Sequence, residues 1–322
     1  MLQPLLNDLL ELRHQAQAIG LASRHPVNSV LCGLYASVFR GQGMDFEEVR
    51  EYREGDEIRN MDWRVTARTG VPHLKVFREE RQRSVMLCVD VGAHTHFGTQ
   101  GTFKNVQAAK IAALLGWSAS VNQDRVGGLL FGSARVPGSA TEFTFFHPSR
   151  ERRALWPLLR ALTEPSAPWA ENEATSTDGP TDPLPAALDK LGQGSPTGAL
   201  LLVIADFNRN LAALEQALGR LRQRHEVVLF PLDDLADHTL PDIGPAWFIG
   251  PDGHRVLVDT SNPVGLAHYR QQWEERRSHL SRIGKRLGVD VLPIATHEDA
   301  HRALVTGLRR RMRRLAARSA WR

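Results

Sequence analysis

The sequence predicts an α/β fold: a mostly parallel sheet wrapped by helices, preceded by a helical and extended N-terminal segment and interrupted by a hairpin insertion. Two observations predict it. From Ser84 onward, short apolar runs alternate with stretches of 3.6-residue periodicity, the pattern of β-α units. The runs are also continuous, as in Val85-Met86-Leu87-Cys88-Val89 and Leu200-Leu201-Leu202-Val203-Ile204, which suits strands covered on both faces.

The elements follow in order. Residues 2–20 predict a helix, with Leu2, Leu5, Leu6, Leu9 and Leu12 on one stripe, and Pro26 stops that pattern. Residues 40–83 are charged and glycine-punctuated, and end in the strand-like alternation His73-Leu74-Lys75-Val76-Phe77-Arg78. Two regions are therefore expected, 1–83 and 84–322. In the second, strands are expected at 85–89, 126–131, 142–146, 200–204, 226–232 and 289–294. Helices are expected at 103–122, 150–163, 183–191, 264–287 and 298–318, with Asn122 as the stop of the first. Residues 164–183, rich in Pro, Ser, Thr and acids, read as a loop, and Thr181 or Asp182 as the cap before Pro183. Residues 247–258 read as a hairpin turned at Pro251-Asp252-Gly253.

Composition narrows the function. With 42% hydrophobic and 24% charged residues over 322 positions, wholesale disorder is excluded. No apolar run reaches the roughly 18–20 residues of a transmembrane segment, and the N-terminus does not read as a secretory signal, so a cytoplasmic protein is expected. Two cysteines, Cys32 and Cys88, build no disulfide framework, and Cys88 inside a strand reads as a buried thiol. The net charge is +4, but residues 309–322 hold seven arginines and no acid, leaving the rest at −3. That body is not a nucleic-acid-binding surface. The basic helix is expected to dock through Leu304, Leu308, Met312 and Leu315 with its arginines outward. A tail-driven, non-specific nucleic-acid contact is the weakest of the readings.

Ligands of open parallel sheets bind beyond the carboxyl ends of the strands. Asp90 and Asp206 fall there, and Thr181 enters from the long loop. Two carboxylates and a hydroxyl are hard oxygen donors of the kind that hold Mg²⁺. His94 and His96, with Asp90 and Asp206, offer a different set, two nitrogens and two carboxylates, suited to Zn²⁺ or a similar ion that activates water in a hydrolase. Against both stands a structural role, since acids at strand ends satisfy loop amides or cap the next helix. No nucleophile elbow, P-loop or His-Glu-x-x-His motif is present.

The runs Gly41-Gln42-Gly43-Met44-Asp45-Phe46, Arg50-Glu51-Tyr52-Arg53-Glu54-Gly55-Asp56, Arg59-Asn60-Met61-Asp62-Trp63-Arg64 and Ala67-Arg68 closely resemble the signature of the bacterial family called domain of unknown function 58. The resemblance continues through Phe77, Glu80, Asp90, Phe97-Gly98, Lys104, Asp124-Arg125-Val126-Gly127 and Thr181. It implies a Rossmann-like domain of von Willebrand factor A type that binds rather than catalyses. It implies as partner a MoxR-type AAA+ ATPase, with which such proteins act as chaperones or assembly factors, alongside other von Willebrand A proteins or a client protein. It also implies a metal-ion-dependent adhesion site of the form Asp-x-Ser-x-Ser with a distant Thr and Asp. Here that motif reads Asp90-Val91-Gly92-Ala93-His94, so both serines are missing and only Asp90, Thr181 and Asp206 match. The expectation is a degenerate site, with Mg²⁺ or another divalent metal the sole candidate cofactor.

The signature also has a reading of its own. Arg50, Arg53, Arg59, Arg64 and Arg68 interleave with Glu51, Glu54, Asp56, Glu57 and Asp62, and arginine forks pair bidentately with carboxylates. Tyr52 and Trp63 are expected as apolar anchors of a network that braces the N-terminal segment. The rival is that Trp, Tyr and Arg mark a binding hot spot.

Overall fold

A computed structural model describes residues 3–21, 44–53, 61–79, 84–132, 143–151, 155–164, 182–209, 211–249 and 255–319. The chain divides into two compact units, residues 1–37 with 84–322, and residues 38–83. Helix α1 (Leu6–Leu21) therefore belongs with the sheet domain, not with the signature segment that follows it in sequence. The reason is packing: Leu9 and Ala16 are buried in the main core, and the Trp117 indole N–H donates to Leu9 O at 3.0 Å.

Among the described residues, the smaller unit holds an antiparallel strand pair and a short helix. Strand β1 (Met44–Glu51) pairs antiparallel with β2 (His73–Glu79), and α2 (Trp63–Thr69) lies between them in sequence. Asp62 caps α2 by accepting from the amides of Arg64 (3.0 Å) and Val65 (3.2 Å). Gly70 closes it with φ +74°, a left-handed conformation that favours glycine. The Thr66 hydroxyl accepts from the His73 amide and ties helix to strand. Trp63 is 66% exposed, so it does not anchor this unit, whereas Tyr52 is half-buried. Gly55, Asp56 and Arg59 lie outside the described residues.

The larger unit runs β3 (Ser84–Asp90), α3 (Lys104–Val121), β4 (Arg125–Phe131), β5 (Phe143–Ser149), α4 (Leu155–Thr163), α5 (Pro183–Gly194), β6 (Leu200–Ala205), α6 (Leu211–Arg222) and β7 (Glu226–Asp233). It continues with β8 (Pro245–Ile249), β9 (Arg255–Asp259), α7 (Pro263–Leu287), β10 (Asp290–Val291), β11 (Ile294–Ala295) and α8 (Ala300–Ser319). The sheet order is β10-β7-β6-β3-β4-β5, with β11 also on β7. All these pairings are parallel except β4 with β5. The mostly parallel α/β sheet expected from the apolar runs is therefore present.

Side-chain alternation along β3 sorts the core into two halves. Val85, Leu87 and Val89 face a cluster that includes residues of α1, α3, α4 and α8. Met86 and Cys88 face the other, built with α5, α6 and the end of α7. Burial pushes the Cys88 thiol pKa up, and the nearby Asp90 carboxylate adds to it, so this cysteine is an inert core residue.

Three details differ from the sequence reading, and the expected hairpin is present. Helix α6 was not anticipated, although Leu211, Leu214, Ala217, Leu218 and Leu221 bury one face. The last strand is two short pieces, because Leu292-Pro293 interrupts it and proline has no amide for the ladder. The hairpin forms as β8 and β9 with Trp247 opposite Leu257, while its turn at 251–253 lies outside the described residues. Finally, α8 docks through Leu304 and Leu308, but not every arginine points outward. Arg311 is buried, paired with Glu226 and Asp290, and Arg314 reaches Asp290 at 2.8 Å.

Candidate functional site

The site is built where β3 and β6 end side by side. Val89 is in register with Ile204, so Asp90 and Asp206 emerge at the same carboxyl rim of the sheet. Their side chains are buried, and both are engaged.

Asp90 Oδ1 accepts from the Gly92 amide at 3.1 Å. Its Oδ2 accepts from Arg209 Nη2 at 2.6 Å and lies 3.0 Å from His94 Nε2. Burial alone would push the Asp90 carboxyl up, but His94, Arg209 and the Gly92 amide together hold it below the usual carboxylate range. Burial would likewise lower His94, and the Asp90 carboxylate outweighs it, so the imidazole is raised.

His94 reaches back because the chain makes a single 3₁₀ turn at Ala93–Thr95, closed by the Thr95 hydroxyl donating to Gly92 O at 2.7 Å. The ring then fills the space above Gly92. A Cβ at position 92 would stand 2.6 Å and 2.7 Å from two His94 ring atoms and 3.0 Å from Gly132 O. The two departures from Asp-x-Ser-x-Ser are therefore one change: His94 occupies the volume that a side chain at 92 would use.

Asp206 holds the other half of the rim. Its Oδ1 accepts from the Asn208 amide at 2.8 Å, and its Oδ2 from Lys104 Nζ at 2.7 Å. Lys104, 1% exposed, also meets Asp237 Oδ2 at 2.7 Å. One ammonium thus serves two carboxylates. Asp206 is held below its usual range, since Lys104 outweighs burial, while burial and the neighbouring Asp206 leave Asp237 raised.

Arg209 joins these parts. Its Nε donates to Asp206 O (2.6 Å), its Nη1 to Asp182 Oδ1 (2.6 Å) and its Nη2 to Asp90 Oδ2. A rigid guanidinium fork suits such three-way bridging. Asp182 in turn caps α5, accepting from the Leu184 amide at 3.0 Å. A second network stiffens the rim: Asp234 accepts from the Thr99 amide (2.9 Å) and from the hydroxyls of Thr99 and Thr296.

Of the expected site residues, Asp90, Gly92, His94 and Asp206 are brought together. Thr181 lies outside the described residues, next to Asp182. His96 takes no part in these contacts and lines a separate cleft with Gln3, Val91 and Asn105. Sequence reasoning anticipated Asp182 as the α5 cap but missed its pairing with Arg209, and it missed the roles of Lys104, Arg209 and Asp237. One signal was available for Lys104, which opens α3, where the helix dipole disfavours a cation unless a carboxylate compensates.

The donor set does not fit a divalent ion. Oδ2 of Asp90 already accepts from two nitrogens and Oδ2 of Asp206 from one, whereas Mg²⁺ requires near-octahedral oxygen coordination. Among the described residues, no group of three or more His, Cys, Asp or Glu side chains is placed to hold a metal ion.

Uncharacterized proteins of Mycobacterium bovis (strain ATCC BAA-935 / AF2122/97) and Mycobacterium tuberculosis (strain ATCC 25618 / H37Rv) are each 26% identical over 287 residues, covering 88% of this chain and 84% of theirs. The family described as "Protein of unknown function DUF58" matches residues 48–279, and the chain belongs to that family.

Proposed function

We propose that this DUF58 chain is a non-enzymatic protein-interaction module of von Willebrand A type that works in the cytoplasm with a MoxR-type AAA+ ATPase as a chaperone or assembly factor. The observation that carries this reading is the clasp of Arg209 by Asp90 and Asp182 at the carboxyl rim. Groups that would act as acids, bases or metal ligands are committed to one another, which suits a surface that binds better than one that transforms. A rim stiffened by ion pairs is a preformed docking surface, so little ordering entropy is lost when a partner arrives.

Two exposed features support a partner. In the small unit, Trp63 leads α2 with Arg64 and Arg68 also exposed, residue types that dominate binding hot spots. In the large unit, Trp247, Ile249, Val256 and Leu257 of the β8–β9 hairpin are all more than half exposed, an apolar surface that suits a client protein or another von Willebrand A protein. Neither feature calls for specific nucleic acid.

The test is co-purification and ATPase turnover. The chain is expected to bind a MoxR-type ATPase from the same genome and to change its ATP hydrolysis rate, with Trp63→Ala weakening both. No association and unchanged turnover would reject the proposal.

A further inference from the structure

We infer that Arg209 and Lys104 are the resident cations of this rim, and that the rim is assembled without a divalent metal ion. This goes beyond the reading of the rim as a partner surface and does not rest on it.

The geometry carries the inference. A metal ion at a strand-end site neutralises acids from several loops and ties those loops together. Here Arg209 does both: it neutralises Asp90 after β3 and Asp182 at the start of α5, and it grips the backbone carbonyl of Asp206 after β6. Lys104 repeats the arrangement one step along the rim, between Asp206 and Asp237. The guanidinium stays charged at any relevant pH. Arg209 is only 12% exposed, so bulk water does not compete strongly for it.

The remaining space is also filled. Asp90 Oδ1 and Asp206 Oδ1 accept loop amides, Asp182 Oδ1 accepts the Leu184 amide, and the His94 ring stands over Gly92. Asp182 Oδ2 is buried without a hydrogen-bond partner, but its carboxylate is already paired with Arg209, so an incoming ion would meet N–H donors and positive charge beside that one bare oxygen, too few oxygens for near-octahedral coordination. The rim is therefore expected to keep one conformation whatever the divalent-ion concentration.

The experiment uses the full chain, prepared metal-free. Wild-type protein is titrated with Mn²⁺, Mg²⁺ and Zn²⁺ by calorimetry, and its melting is compared in Mn²⁺ and in EDTA. No stoichiometric binding and superimposable melting curves are expected. Binding of about one equivalent of any of the three ions, lost in Asp90→Asn, would overturn the inference. The second arm is Arg209→Ala, refolded in parallel with Mn²⁺ and with EDTA. Removing the guanidinium leaves Asp90 Oδ2 with His94 alone and Asp182 Oδ1 with the Leu184 amide alone, two carboxylates short of a cation, so the variant is expected to fold better or melt higher with Mn²⁺. A variant that behaves alike in Mn²⁺ and EDTA, folded or not, overturns the substitution of guanidinium for metal. Arg209→Lys, which restores a cation, is expected to return the protein to metal indifference.

Discussion

Replacing Lys104 by methionine is the most demanding perturbation of the rim. The side chain is of similar length, and the change removes the charge together with the N–H donors that serve Asp206 and Asp237. In the native chain the ammonium sits 2.7 Å from both Asp206 Oδ2 and Asp237 Oδ2. Its pKa is raised, because the two carboxylates outweigh the burial that would lower it. Breaking a buried pair costs about 3–5 kcal/mol, chiefly because a charge is left without compensation. Asp237 tempers that cost: its pKa is already raised, so it takes up a proton most readily once the ammonium is gone. The expected loss is therefore at the lower end, about 3 kcal/mol. With an m value of about 3 kcal/mol/M, the urea midpoint falls by about 1 M. The assay is urea unfolding followed by tryptophan fluorescence at pH 7 and pH 5. In Lys104→Met the orphaned carboxylates have folded pKa values above their unfolded ones. Their contribution is present at low pH and lost as pH rises, so the variant gains stability on acidification relative to wild type. Asp237→Asn in the same chain is expected to recover part of the loss. A midpoint shift under about 0.3 M, or no difference between the two pH values, would refute the coupled-rim argument.

Four further outcomes follow from the same contacts. His94 has a raised folded pKa, so its contribution is complete below the ordinary imidazole value and fades as pH rises through the folded one; His94→Ala should abolish that alkaline decline in urea midpoint. Arg311→Ala, which takes the buried guanidinium from Glu226 and leaves Asp290 with Arg314, is expected to cost about 3 kcal/mol in the same unfolding assay, while Arg309→Ala, on the exposed face, stays within about 0.5 kcal/mol. Leu9→Ala should cost about 2–5 kcal/mol in the global unfolding transition, because α1 is part of the sheet domain. Gly92→Ser should lower the melting temperature by crowding the His94 ring, and adding His94→Ala should restore most of it, a non-additivity that a double-mutant cycle reads directly.

The fold was legible wherever apolar patterning is strong. Continuous runs such as 85–89 and 200–204 announced strands buried on both faces, and Pro183 and Asn122 marked helix ends that the structure keeps. Position at a strand end was enough to pair Asp90 with Asp206 across 116 residues of sequence. What lay beyond reach was partnership. Arg209 follows Asp206 by three residues and reads as one more loop arginine, because nothing local says that its fork spans to Asp90 and Asp182. Asp237 reads as a turn acid, which it also is, since it completes the capping box with Asp234. Arg311 lies in a run of basic residues whose dominant pattern is exposure. Its inward turn is set by Glu226 and Asp290, far off in sequence.

The departures at the rim are connected by geometry. With a serine at 92, the His94 ring would have to turn away from Asp90, since the Cβ alone intrudes on it. With His94 turned away, Asp90 Oδ2 would keep only Arg209. Without Arg209, Asp90 would be a fully buried carboxylate held by one backbone amide, and such a group requires a cation or a proton. Gly92, His94 and Arg209 thus make sense together and not singly. The space and charge around Asp90 are filled by groups of the chain itself. A site that had merely decayed would leave orphaned acids facing water. At this rim, Asp90 and Asp206 instead accept a donor at each oxygen, which holds both carboxylates in one conformation.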